Sequence, residues 1–143
     1  MSFSFKYKPI TLKTGKIIHR PIIPLTIEGM EKMDILAVLD SGSDMTIIPK
    51  EMAERIDIRY TGENEIYGIG RIPIKTREGK IHITFGKGRE NYSFDIPVLV
   101  PVDKEDVPII IGRIGFFNQF KIIFSESEKK IEFKKVESLN IAY

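Results

Sequence analysis

Asp40 is the residue best placed for chemistry in this chain. It ends the apolar run Ile35-Leu36-Ala37-Val38-Leu39, opens the turn Asp40-Ser41-Gly42-Ser43-Asp44, and is followed by Met45-Thr46-Ile47-Ile48-Pro49. An apolar run of this length before a Gly-containing turn reads as a buried strand that carries a carboxylate to its end. A carboxyl group held at such a partly dry place has its proton affinity altered, which is the commonest preparation for acid–base work. The competing reading is an ordinary surface turn, because Asp, Ser and Gly are also turn formers.

A second segment weighs against coincidence. Val107-Pro108-Ile109-Ile110-Ile111-Gly112-Arg113 again runs from an apolar strand into a Gly, and continues as Ile114-Gly115-Phe116-Phe117-Asn118-Gln119-Phe120. Together the two segments resemble the retropepsin-like aspartic proteases. In that family an Asp-[Ser/Thr]-Gly turn lies beside a hydrophobic-hydrophobic-Gly motif. Asp40, Ser41 and Gly42 match the first motif, and Ile110, Ile111 and Gly112 match the second. Asp44 and Arg113 fall where retroviral members carry an Asp and an Arg that pair. Counted with the strand pattern, the resemblance runs from about residue 22 to about residue 133 of this sequence.

The resemblance implies a pair of aspartates facing one water, yet none of Asp34, Asp44, Asp57, Asp95, Asp103 and Asp106 is followed by Ser/Thr-Gly. One chain of 143 residues carries half a site and is too short for a duplicated, two-lobed enzyme. A twofold homodimer supplies the other half, because an isologous interface sets a residue on the axis against its own copy. The expected partners are therefore a second copy of the chain and a peptide or protein substrate.

Around Asp40 the resemblance assigns supporting roles. Gly42 leaves the carboxylates unobstructed, Ser41 hydrogen-bonds across the axis, and Asp44 with Arg113 forms a partly buried ion pair that fixes the turn. Ser43 is a candidate donor to the Asp40 carboxylate. Ile47 and Ile110 line an apolar substrate channel, with Phe116, Phe117 and Phe120 as core beneath it. Tyr67-Gly68-Ile69-Gly70-Arg71 lies where family members have a flap over the substrate, although a plain turn fits these residues as well.

The remaining composition narrows the alternatives. The chain has no Cys, which removes disulfides, thiolate metal sites and thiol nucleophiles. His19 and His82 stand alone, outside any metal-spaced cluster or Gly-x-Ser-x-Gly elbow, and read as strand surface residues. No metal or other cofactor is expected. Charge is nearly balanced, 22 basic against 20 acidic residues, so a nucleic-acid-binding β-barrel built on Lys87, Arg89, Lys129, Lys130, Lys134 and Lys135 is the weaker reading. A retropepsin-like module that binds peptides without cutting them is the closer competitor. No apolar run approaches a membrane span and the N-terminus lacks a signal-peptide core, so the expected compartment is the cytoplasm, with neither membrane nor nucleic acid as partner.

These residues need elements to hold them. Phe3, Phe5 and Tyr7 alternate with polar residues, as do Ile81, Ile83 and Phe85, the period of half-buried strands. Turns are predicted at Glu28-Gly29, Glu78-Gly79-Lys80, Gly86-Lys87-Gly88 and Ser125 to Lys130. Helix is confined to the residues after Pro49 and to Gly115 through Phe120. The prolines at 9, 21, 24, 73, 97, 101 and 108 imply strand edges or strand starts. The expected fold is all-β: a single-domain closed barrel of the acid-protease (retropepsin) type over residues 1–143, with one or two short helices.

Overall fold

Strict alternation of buried and exposed side chains builds the barrel. In the structure, a computed structural model describing residues 1–67, 72–104 and 106–137, the strands are β1 (Ser2–Lys6), β2 (Lys8–Thr11), β3 (Ile17–Arg20), β4 (Ile22–Glu28), β5 (Met33–Leu39), β6 (Thr46–Ile47), β7 (Tyr60–Tyr67), β8 (Pro73–Lys87), β9 (Glu90–Pro101), β10 (Ile110–Ile111), β11 (Phe120–Ser125) and β12 (Lys130–Lys135). One helix, α1 (Lys50–Arg55), follows Pro49. Ile23, Leu25 and Ile27 of β4, Ile35, Ala37 and Leu39 of β5, and Ile81, Ile83 and Phe85 of β8 all point inward and are buried. Each such large side chain contributes roughly 1.5–3 kcal/mol over leaving it in water.

The strands run β4-β5-β10-β6-β9-β8 and return to β4, a closed six-stranded ring. Closure comes from Thr26, Ile27 and Glu28 pairing with Thr84, Ile83 and His82. Two prolines sit just outside double pairing, since a residue without N–H tolerates only a one-sided ladder. Pro24 pairs with Leu36, but β8 joins β4 only from Thr26. Pro97 pairs with Lys80, but β6 joins β9 only from Val98.

A three-stranded sheet, β1-β12-β11, covers one part of the barrel. Phe3, Phe133 and Phe120 from this sheet meet Phe85 and Phe116, with ring centroids 5.4 Å apart for Phe3–Phe133, 4.9 Å for Phe85–Phe133 and 5.2 Å for Phe85–Phe116. The first and last described strands are thus joined within one chain, Phe3 opposite Phe133 and Phe5 opposite Ile131. β2 and β3 form a separate two-stranded ribbon.

Two sequence expectations are corrected. Glu78-Gly79-Lys80 is not a turn but the middle of β8, where the strand changes partner from β7 to β4. Gly79 is needed because Ile58 and Arg59 cross over it: an added Cβ would lie 2.8 Å from Ile58 Cδ1. The second helix shrinks to a 3-10 turn, Phe117–Gln119. Gly115 there has φ of 87°, and its open face lies against Pro97, 2.9 Å from where a Cβ would be. The turns at Gly88 and at Lys129 form as expected, both with left-handed backbone. No helix among the described residues is long and apolar enough to cross a membrane.

Candidate active site

Parallel pairing of β5 with β10 brings the two motifs together. Val38 lies beside Ile110 and Leu39 beside Ile111, and the Asp40 amide donates to the Ile111 carbonyl at 3.0 Å. The chain then turns over Gly112 so closely that a Cβ there would sit 2.3 Å from the Met45 carbonyl oxygen. Only Gly fits beneath that backbone.

Three successive amides fasten the turn. Gly112 N–H donates to the hydroxyl of buried Thr46 at 3.1 Å, Arg113 N–H to the Ser43 carbonyl at 2.9 Å, and Ile114 N–H to the Asp44 carbonyl at 2.8 Å. Inside the turn, Gly42 N–H donates to Asp40 Oδ1 at 2.9 Å, and Ser43 N–H donates to the Asp40 carbonyl at 3.2 Å. Asp40 is half-buried, while Ser41 and Gly42 beside it are exposed.

Two side-chain expectations change. The Ser43 hydroxyl donates to the Met45 carbonyl at 2.8 Å, and the Asp40 carboxylate takes its hydrogen bond from the Gly42 amide instead. Asp44 and Arg113 do pair, but their side chains remain 68% and 55% exposed, so within one chain the pair is a surface contact. The fastening of the turn therefore rests on backbone amides. Thr46 was not singled out in the sequence, although a lone hydroxyl inside the apolar run Met45 to Ile48 was its signal.

The other candidates distribute as follows. Ile47 and Ile110 are direct cross-strand neighbours, both half-buried, next to the turn that holds Asp40. Phe116 and Phe120 are buried and Phe117 packs on the core. Tyr67, 66% exposed, ends β7 opposite Pro73. It stands on a hairpin that outruns the sheet, because β9 accompanies β8 only from Thr76. Gly68, Ile69, Gly70 and Arg71 lie outside the described residues. Among those described, no group of three or more His, Cys, Asp or Glu side chains is placed to hold a metal ion.

Chemically, among the described residues, one chain brings a single carboxylate that is not tied to a cation, that of Asp40, to the junction of the two motifs. Asp44 in the same turn is engaged by Arg113.

No protein-family model and no curated protein matches this chain. Among solved structures it is similar to the EIAV protease complexed with the inhibitor HBY-793, with a TM-score of 0.51 and 23% identity over 73% of this chain and 88% of that one. The likeness, with the closed ring of strands, shows a retropepsin-like fold.

Proposed function

We propose that this protein is an aspartic endopeptidase in which Asp40 of two identical chains activates one water. The observation that supports this most is the pairing of β5 with β10. It lays Val38 and Leu39 beside Ile110 and Ile111 and ties the Asp40 amide to the Ile111 carbonyl, so that the first motif begins where the second ends, on a fold shared with a retroviral protease. In this reading residues 1–143 act as one domain and the second acid comes from the second copy.

Two carboxylates about 3 Å apart cannot both ionise at little cost, so the pair keeps one shared proton across an intermediate pH range. The ionised Asp40 takes a proton from water as the oxygen attacks the scissile carbonyl carbon. The protonated Asp40 of the other copy gives its proton to the carbonyl oxygen, forming a neutral gem-diol. Collapse returns that proton, moves another to the leaving nitrogen and breaks the C–N bond. No acyl-enzyme forms, and the titration belongs to the pair.

Ser41 and Gly42, exposed beside Asp40, face the second copy. An extended peptide adds as a strand between the floor and the β7–β8 hairpin, which acts as the flap. Ser43, Ile47, Ile110 and Tyr67 border the channel, so cleavage favours bonds flanked by apolar residues.

The test is digestion of an unfolded protein by wild type and Asp40→Asn between about pH 3 and about pH 7. The substitution keeps the shape and removes the acid. Cleavage by wild type, reduced at least about a hundredfold in the variant, is the expected result. Equal residual cleavage by both proteins refutes the activity and leaves a peptide-binding module.

A further inference from the structure

We infer that the β2–β3 ribbon, residues Lys8 to Arg20, is a dimerisation arm whose exposed face packs on a second copy of the chain. The inference rests on the proposed Asp40 pair, because it concerns the copy that pair requires.

The ribbon's position is the first argument. Tyr7 is buried, and its amide donates to the Lys129 carbonyl at 2.7 Å, which anchors the ribbon's start. At its end, Pro21 accepts the Leu39 amide at 2.8 Å, one residue before Asp40. The arm therefore leaves the barrel and returns to it beside the catalytic turn, the end that a second Asp40 must approach.

Its incompleteness is the second. A two-stranded ribbon is marginal in water unless something packs on it, and among the described residues β2 and β3 form a sheet with no third strand. Strand alternation gives it two faces. Lys8, Ile10 and Ile18 are half-covered, whereas Pro9, Thr11, Ile17 and His19 on the other face are all exposed, Ile17 by 58%. Ile17 pairs with Thr11 at the turn end of the ribbon, and an apolar β-branched residue on an open face fits a surface that becomes buried.

The third argument is that another obvious device is already used. The first and last described strands, β1 and β12, pair within one chain, and the ribbon is free to reach across. The arm carries Lys8, Lys13, Lys16 and Arg20 and no acid, the first acid of the chain being Glu28.

The experiment is sedimentation velocity over a concentration series on wild type, Ile17→Glu and Asp40→Asn, with cleavage measured in parallel. Ile17 is exposed in the single chain, so Ile17→Glu leaves the fold intact, which circular dichroism and the melting curve verify. The expected result is a dimer for wild type and Asp40→Asn, and a dimer dissociation constant raised at least tenfold in Ile17→Glu. A second variant, with Lys8 to Arg20 replaced by Gly-Gly between Tyr7 and Pro21, sediments as monomer. Unchanged dimers in both arm variants overturn the inference while leaving the activity standing. A wild-type dimer that loses its association in Ile17→Glu but cleaves nothing upholds the arm and refutes the activity. A wild type that is monomeric throughout, or one whose arm is needed for retention on heparin but not for self-association, overturns the arm.

Discussion

The Asp40 amide is hydrogen-bonded to the Ile111 carbonyl at 3.0 Å, a contact between residues about seventy positions apart in sequence. It makes the placement of the acid depend on β10 as much as on β5. Any loosening of the segment around Gly112 is therefore felt at the carboxylate.

The two glycines of the motifs should respond differently to Ala. At Gly112 a Cβ meets backbone at 2.3 Å, and backbone cannot rotate out of the way, so Gly112→Ala should cost about 3 kcal/mol or more. At Gly42 the nearest atom is Asp40 Oδ1 at 3.2 Å, the end of a side chain. Gly42→Ala should cost under about 1 kcal/mol while lowering peptide cleavage, because the methyl intrudes beside the acid. Urea denaturation of both variants checks this, and equal destabilisation would contradict it.

Thr46 is the buried polar side chain that completes the clamp. Thr46→Val keeps the shape and strands the Gly112 N–H, a loss of about 1–3 kcal/mol. Thr46→Ser keeps the acceptor and loses only a methyl. Hydrogen exchange at the Gly112 amide separates them: faster in the Val variant, near wild type in the Ser variant. Slow exchange in both would remove Thr46 from the clamp.

Much of this arrangement was legible in the residues. Asp40 at the end of an apolar run and Gly112 at the end of another marked the two halves of the junction, because both burial and the need for Gly leave local traces. The strand alternation at Ile81, Ile83 and Phe85 was equally plain. Gly79 misled because a Gly between charged residues signals a turn locally, whereas here its bare face admits Ile58 and Arg59 from elsewhere in the chain. The pairing of β1 with β12 and the direction of the Ser43 hydroxyl depend on contacts between distant segments or on rotamer choice, and neither has a local signature. The Asp44–Arg113 pair was readable as a pair, but its exposure was not, since burial depends on what surrounds it.

That exposure has a consequence for Arg113. An ion pair largely in solvent contributes under about 1 kcal/mol and is screened by salt, so Arg113→Ala should hardly change the stability of the isolated chain. Its amide still donates to Ser43. Arg113→Pro removes that amide and should cost about 3 kcal/mol. Thermal melts in low and high salt compare them, and an alanine variant as damaged as the proline variant would place the fastening in the side chain after all.

Sharing of the site between chains can be read by mixing. When Asp40→Asn chains are in about ninefold excess and subunits exchange, wild-type pairs fall to about a hundredth of all dimers. Cleavage per wild-type chain should then drop to about a tenth. A rate that follows wild-type concentration alone would mean that each chain works by itself.

Alkaline stability offers an independent probe of the anchor below the ribbon. Burial raises the Tyr7 phenol above its ordinary 10.0, with Glu126 adding to the shift and Lys129 opposing it. Between 10.0 and the raised value the unfolded chain has lost this proton while the folded chain keeps it, so stability falls as pH rises through that window. Below pH 10.0 the contribution is fully present. Tyr60 and Tyr92 are raised as well, the first mainly by burial and the second mainly by its hydrogen bond to Glu90, and they add to the same decline. Tyr7→Phe, which cannot ionise, should therefore lose less stability than wild type between about pH 9 and about pH 11, without becoming flat. Urea denaturation at the two pH values measures the difference, and parallel declines in the two proteins would show that Tyr7 stays protonated to the same extent in the folded and unfolded chain.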